Sequence, residues 1–417
     1  NKIRENKENY ITLLKLKNMD ATELFDAVIA KDDERKATQQ KADELLSKGN
    51  QLAKQIGEMY KTGKAGEANV LKEKSSSIKE ESKALQTKQT ELEKEIQNIL
   101  VQIPNIPHPT VPGGKSDADN VTLKEVGTIP TLMEGAKPHW ELTTDYSLID
   151  FELGNKITGA GFPVYTHHGA KLQRALIAYF LDKNTAAGYT EYLPPHLVNE
   201  ASGFGTGALP DKEGQMYHAT EDNLYLIPTA EVPVTNFFRD VIVKEFPIKC
   251  TAYTACFRRE AGSYGKEVRG LNRLHQFDKV EIVQVQHPEN SYETLDVMVK
   301  HVASILDELE LPYKILQLCG GDLSFTSALT FDFEVYSAGQ ERWLEVSSVS
   351  NFESYQANRL KLRYKDENGK TQLCHTLNGS ALALPRIYAA LIENNQTAEG
   401  IKIPKALQPY TGFDIIK

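Results

Sequence analysis

Cysteine is scarce in this chain. Four occur in 417 residues, at Cys250, Cys256, Cys319 and Cys374, and none forms a CxxC pair. That spacing argues against structural zinc and against a disulfide framework, and it favours a reducing, cytoplasmic setting. Long hydrophobic runs are missing as well. No stretch reaches the ~18 apolar residues a transmembrane helix needs, so no membrane association is expected. The first residues, Asn1-Lys2-Ile3-Arg4-Glu5, are charged and do not read as a secretory signal. Asn1 is not an initiator methionine, so the numbering can begin a few residues past the natural start. An overall basic excess is also absent: 48 Lys and Arg stand against 57 Asp and Glu, a net charge of −9. At first sight that argues against a nucleic-acid partner.

Proline is absent from residues 1–103. Residues 27–103 are instead rich in Lys, Glu, Gln, Ala and Ser, a composition for long helices. Leu71, Ile78, Leu85, Leu92 and Ile99 repeat at a strict spacing of seven, with Ile96 and Ile103 on a second seam. Leu45, Leu52, Ile56 and Met59 form a shorter stripe. Between the two stripes lies Lys61-Thr62-Gly63-Lys64-Ala65-Gly66-Glu67, a two-glycine turn. The pattern predicts an antiparallel coiled-coil hairpin. Toward its tip the second seam is Ser75, Ser82 and Gln89, so little apolar surface can be buried there. Residues 48–88 carry nine Lys and five Glu, so the basic excess missing overall is present locally. Such an arm suits a phosphate backbone, although an oligomerisation coiled coil has the same pattern.

Residues 1–20 read as a short helix and a strand at the base of this hairpin. Pro104, Pro107, Pro109, Pro112, Gly113 and Gly114 then break all helix and read as a linker over 104–114. From residue 115 to 417 helical patterns (Lys171–Ala187, Ser291–Glu308, Leu382–Asn395) mix with strand-like runs (Leu224–Pro228, Phe331–Tyr336, Trp343–Ser347, Leu360–Tyr364). The hairpin-like spacing of the late strands predicts an α+β domain, an antiparallel sheet with helices on it.

The richest segment is Cys256-Phe257-Arg258-Arg259-Glu260-Ala261-Gly262-Ser263, followed by Arg273-Leu274-His275-Gln276-Phe277. Apolar runs flank it, which predicts two strands joined by a long loop. An Arg fork matches phosphate oxygens, a carboxylate can accept from an adenine amino group, and an aromatic face stacks on the base. A charged hairpin with an Arg258–Glu260 surface pair would need the same residues. The ordered set, with Arg258 and Glu260 expected on one strand face, favours a nucleotide.

This wording resembles motif 2 of class II aminoacyl-tRNA synthetases, in the version typical of seryl-tRNA synthetases. Three more segments resemble that family. Ile227-Pro228-Thr229-Ala230-Glu231 supplies a hydroxyl and a carboxylate for an amino-acid ammonium, though Thr-x-Glu is also a common helix start. Trp343-Leu344-Glu345-Val346-Ser347-Ser348 supplies a carboxylate and hydroxyls suited to Mg²⁺ on ATP, though a polar strand end reads the same way. Asn378-Gly379-Ser380-Ala381-Leu382-Ala383-Leu384-Pro385-Arg386, expected to open a helix, fits motif 3 with alanines at two of its glycine positions. The stretch Ala187–Pro195 resembles motif 1, which in class II enzymes builds a homodimer interface. Val349 stands where the family often has Cys, and Asn358 where it often has a second Arg.

The resemblance implies a class II fold and an activity: L-serine plus ATP gives seryl-adenylate, and serine then passes to the 3′ end of tRNA(Ser), with tRNA(Sec) as a further acceptor. It implies ATP contacts at Arg258, Arg259, Glu260, Arg273, Phe277, Glu345, Val346, Ser347, Ser348 and Arg386. It implies serine contacts at Thr229, Ala230, Glu231, Arg258, Glu281, Asn378 and Ser380, and Mg²⁺ at Glu345 and Ser348. Arg258 and Arg386 are the expected catalytic groups, and the arm the expected tRNA reader. Glu281 stands out on physics alone, because a carboxylate between Val280 and Ile282 is costly unless paired.

Overall fold

The computed structural model describes residues 2–212, 214–260 and 268–417. The chain divides into two compact units, residues 1–104 and 105–417. The first holds three helices: α1 (Lys2–Leu14), α2 (Thr22–Lys61) and α3 (Ala65–Leu100). Of the short helix and strand expected within residues 1–20, only the helix forms among the described residues; a 3-10 turn at Lys15–Lys17 and coil follow it. α2 and α3 pair along their length as the heptads predict. Leu92 and Ser82 are buried in the seam, and Leu71, Ile78 and Leu85 are half-buried. The turn between them uses Gly63 at φ +79°. Lys31–Glu95 (2.6 Å), Lys88–Glu34 (2.8 Å) and Lys41–Glu81 (3.6 Å) tie the helices across the pair. No helix among the described residues is long and apolar enough to cross a membrane.

The expected linker is not a free tether. Asn105 Nδ2 donates to the carbonyls of Thr326 (2.9 Å) and Phe352 (2.8 Å), and the Pro112 carbonyl accepts from Gly320 N at 2.9 Å. Proline removes helical hydrogen bonds but leaves the segment's other backbone groups free to bond elsewhere. Residues 105–114 therefore belong to the second unit.

That unit is built on an eight-stranded sheet. In chain order its strands are β1 (Val121–Val126), β2 (Thr190–Tyr192), β3 (Ile248–Phe257), β4 (Gln276–Gln286), β5 (Tyr313–Gln317), β6 (Leu329–Ser337), β7 (Arg342–Asn351) and β8 (His375–Ala383). Their spatial order is β1-β5-β6-β7-β8-β4-β3-β2, antiparallel throughout except for the β2–β3 pair. Three long helices pack on it: α4 (His167–Ala186), α5 (Ser291–Glu308) and α6 (Leu384–Asn394). The face carrying Val280, Ile282, Phe333, Val335, Leu344, Val349 and Leu377 is fully buried.

The other face carries polar groups, and the register aligns them. Glu281 lies opposite Ser380, Val283 opposite Asn378, and Ser350 opposite Asn378 on the far side. Asp332 lies opposite Ser348, and Glu334 opposite Glu345. Directly opposed residues share a face, and so do residues two apart. Phe277, Lys279, Glu281, Ser380, Asn378, Ser348, Asp332, Glu334 and Glu345 therefore line one side of four adjacent strands. Three irregularities interrupt the ladders: β1–β5 slips between Thr122 and Lys124, β4–β8 between Lys279 and Glu281, and β6–β7 at Val346.

Candidate active site

One end of the polar face is a carboxylate pocket. Lys279 Nζ lies 2.8 Å from Glu281 Oε2, both buried. Thr229 Oγ1 donates to the same oxygen at 3.2 Å and accepts from Glu231 N at 3.2 Å. Thr229 and Glu231 lie at a helix start. Glu231 opens a short helix, Glu231–Asn236, and the Thr229 side chain folds back onto its start. The helix-start signal and the pocket are the same residues. Gln356 Nε2 donates to Glu231 Oε1 at 2.6 Å, and the Thr376 hydroxyl donates to Gln356 Oε1 at 2.7 Å. Burial, and then the charge of Glu281, push the Glu231 carboxyl up to about 7. Ala230 is buried behind it, and Asn378 and Ser380 reach the pocket from β8.

Next along the face come the groups suited to a nucleotide. β3 ends at Phe257, so Arg258 and Glu260 do not share a strand face as expected. Arg258 Nε donates to the Pro228 carbonyl at 3.3 Å, and its guanidinium lies 5.2 Å from the Phe277 ring centroid. The backbone then turns at Glu260, φ +49°, and Glu260 pairs with Arg273 at 3.1 Å, not with Arg258. Gln215 holds this turn, accepting from Arg259 N through its carbonyl (2.8 Å) and from Glu260 N through its side chain (3.0 Å). The Arg259 guanidinium lies 5.4 Å from the Tyr217 ring centroid. Ala261, Gly262 and Ser263 lie outside the described residues.

Leu377–Ala383 is strand, and the helix expected from Leu382 begins two residues later, at Leu384. Arg386 sits in its first turn. Its Nε donates to the Asn272 carbonyl at 3.0 Å and its Nη1 to the Glu345 carbonyl at 2.8 Å, with Glu345 Oε2 at 3.7 Å. The bulge at Val346 corrects one further expectation. With Val346 as the extra residue, Ser347 points away from Glu345 and donates to the Ser380 carbonyl at 2.6 Å. Ser348 takes its place beside Glu345. Val346 itself is buried, so its side chain offers no polar contact.

Four residues of this face escaped the sequence reading. Lys279 and Asp332 had a signal: each is a charge two residues from another on an apolar strand, hence on the same face. Gln215 and Gln356 had none, because they act across 45 and 125 residues of chain. Asp332 is notable because its buried Oδ1 has no hydrogen-bond partner among the described residues. Burial and the neighbouring Glu345 push its carboxyl well above the usual range. Among the described residues no three His, Cys, Asp or Glu side chains form a ready metal cluster. A hard divalent cation that takes most of its ligands from phosphate needs only one or two protein oxygens. The orphan oxygen of Asp332 beside Glu345 and Ser348 fits that requirement.

Family comparisons agree with this geometry. Residues 1–107 match the seryl-tRNA synthetase N-terminal domain, and residues 215–395 match the tRNA synthetase class II core domain (G, H, P, S and T). The serine--tRNA ligase of Salinibacter ruber is 48% identical over 404 residues, covering 96% of this chain and 94% of that protein. That of Chlorobaculum parvum is 46% identical, covering 100% and 99%. Among solved structures, seryl-tRNA synthetase from Pyrococcus horikoshii complexed with ATP superposes with a TM-score of 0.91 at 32% identity, covering 99% of this chain and 98% of that one. The chain therefore belongs to the seryl-tRNA synthetase family of class II aminoacyl-tRNA synthetases.

Proposed function

We propose the following division of labour for its serine--tRNA ligase activity. The observation that carries it is the single sheet face on which a carboxylate pocket and a nucleotide-type set lie side by side. Glu231, Glu281 and Thr229 receive the serine ammonium and hydroxyl, with Asn378 and Ser380 closing the pocket. Arg258 stands between pockets, where it serves the serine carboxylate and the α-phosphate of ATP. Phe277 stacks on adenine, and Arg259, Glu260 and Arg273 flank it. Arg386 answers the terminal phosphates. Glu345 and Ser348, with Asp332 beside them, would hold Mg²⁺ on ATP, which would supply charge neutralisation of the phosphates. A serine carboxylate oxygen attacks the α-phosphorus, the bond to the β-phosphate bridging oxygen breaks, and pyrophosphate leaves. A terminal ribose hydroxyl of tRNA then attacks the seryl carbonyl, and AMP departs. No side chain needs to act as a nucleophile; the gain comes from positioning and fixed charge. Serine-dependent ATP–pyrophosphate exchange tests this reading, and better exchange with another amino acid would overturn it.

The state of Glu231 makes serine binding depend on pH. An ammonium needs the ionised carboxylate, which with a pKa of about 7 forms only as the pH rises through neutrality. The KM for serine should be about tenfold higher at pH 6 than at pH 8. The stability of the empty enzyme should change in the opposite sense. A carboxyl raised from 4.5 to about 7 binds its proton more tightly folded than unfolded. Its stabilising contribution is complete below 4.5 and is lost as the pH climbs to about 7. Thermal melts of wild type and Glu231→Gln across that window check this; identical pH slopes would refute it.

The α2–α3 hairpin is proposed to read tRNA(Ser), and tRNA(Sec) where present, through the phosphate backbone. Removing about residues 30–100 should leave adenylate formation intact and cut tRNA charging by about 10³-fold. Equal charging by the shortened enzyme would exclude the arm as a reader. The second unit is proposed to form a homodimer. β2 lies at a sheet edge, followed by Leu193 at 80% exposure, with Tyr192, Leu197 and Phe237 also exposed. A monomer by light scattering at micromolar concentration would refute this. The four cysteines are free and buried, which supports a cytoplasmic setting.

A further inference from the structure

Away from both pockets, one fully buried cluster of titratable groups is left without a role. His139 and Glu393 are each 0% exposed. The His139 Nε2 accepts from the backbone N–H of Leu271 at 2.9 Å, so its proton sits on Nδ1, 2.7 Å from Glu393 Oε1. Glu393 also accepts from His139 N (2.7 Å), Gly339 N (3.1 Å), Gln340 Nε2 (3.2 Å) and the Ser337 hydroxyl. A carboxylate buried this deeply, with every neighbour donating to it, fixes geometry more than it fills space.

The geometry it fixes lies at the return of the β3–β4 loop. Leu271 hangs from His139, and Asn272 Nδ2 donates to Gln340 Oε1 at 2.8 Å. The carbonyl of that same Asn272 takes the Nε of Arg386. Gly270 adopts φ +66°, and a Cβ there would lie 2.2 Å from His139 Nε2. Glu393 and Arg386 are seven residues apart on α6, two turns along one side of the helix. The helix thus presents Arg386 from one turn and, from another, anchors the loop backbone that orients it.

We propose that His139 and Glu393 are positioning residues for ATP, holding the 270–272 backbone where its carbonyl aims the Arg386 guanidinium. This rests on the reading of Arg386 given above. The test is pyrophosphate exchange with the KM values for ATP and serine measured separately. His139→Leu should raise the ATP KM or lower kcat by about 10- to 100-fold, with the serine KM unchanged within about twofold. His139→Gln, whose amide oxygen can take the Leu271 N–H, should recover most of the loss. Gly270→Ala should reproduce the ATP-specific defect by pushing on the loop from the other side, without emptying a buried site. It decides the matter if His139→Leu does not fold. Ligand-induced shifts in Tm give a second readout: the ATP shift should shrink and the serine shift persist. Equal rises in both KM values, or no rescue by glutamine, would reduce the pair to a packing role and overturn the proposal. Arg386→Ala separates the two claims. If it keeps normal exchange, the reading of Arg386 fails. If it loses exchange while Gly270→Ala keeps a wild-type ATP KM and kcat, only the positioning proposal fails.

Discussion

Arg258→Ala is expected to lower serine-dependent pyrophosphate exchange by at least about 10²–10³-fold, the loss typical when one preorganised charge is removed from a reacting centre. The effect should fall on kcat and on both KM values. Arg258 is tied at once to the segment before Thr229, through the Pro228 carbonyl, and to Phe277 on the nucleotide side. Arg258→Lys is not a conservative change here, because a single ammonium cannot reproduce the fork. It should recover less than a tenth of the lost rate. Normal exchange in Arg258→Ala would remove this residue from the mechanism.

Lys279→Met carries the second large effect, and on a different quantity. Lys279 and Glu281 are 8% and 2% exposed, and Lys279 is the partner that offsets the charge of Glu281. Removing one member of such a pair strands a buried charge and costs about 3–5 kcal/mol. The single variant should melt well below wild type. The double variant Lys279→Met/Glu281→Gln should regain much of that stability, because no lone charge remains. It should nevertheless fail to activate serine, since the ammonium has lost a carboxylate. Calorimetry and exchange on all three proteins separate the two effects. A single variant as stable as wild type would show that the pair is not a structural unit, and an active double variant would remove Glu281 from the serine pocket.

The sequence was most legible where chemistry and periodicity coincide. The heptads foretold the hairpin because its core is a one-dimensional stripe, and Ser291–Glu308 could be read as a helix to the residue because its apolar face repeats cleanly. Glu281 could be flagged from its neighbours alone. What could not be read was tertiary. Glu260 turns to Arg273 because the strand stops three residues earlier than the wording suggests. Ser347 leaves the face that carries Glu345 because one residue bulges, and no local signal marks the bulge. Leu377–Ala383 is strand because it pairs with β4 and β7, so the helix expected from Leu382 starts two residues later. Gln356 and Glu393 act at distances in sequence that no window spans.

Two of the three irregularities lie one at each proposed substrate pocket, at Lys279–Glu281 and at Val346. A backbone rebuilt with unbroken ladders would gain hydrogen bonds, and it would be the more stable protein. Its side chains would also fall out of phase with the substrates. Engineering that regularises this sheet for heat tolerance should therefore leave these two interruptions untouched: on the proposed reading they are where the fold gives up order so that serine and ATP can meet on the same surface.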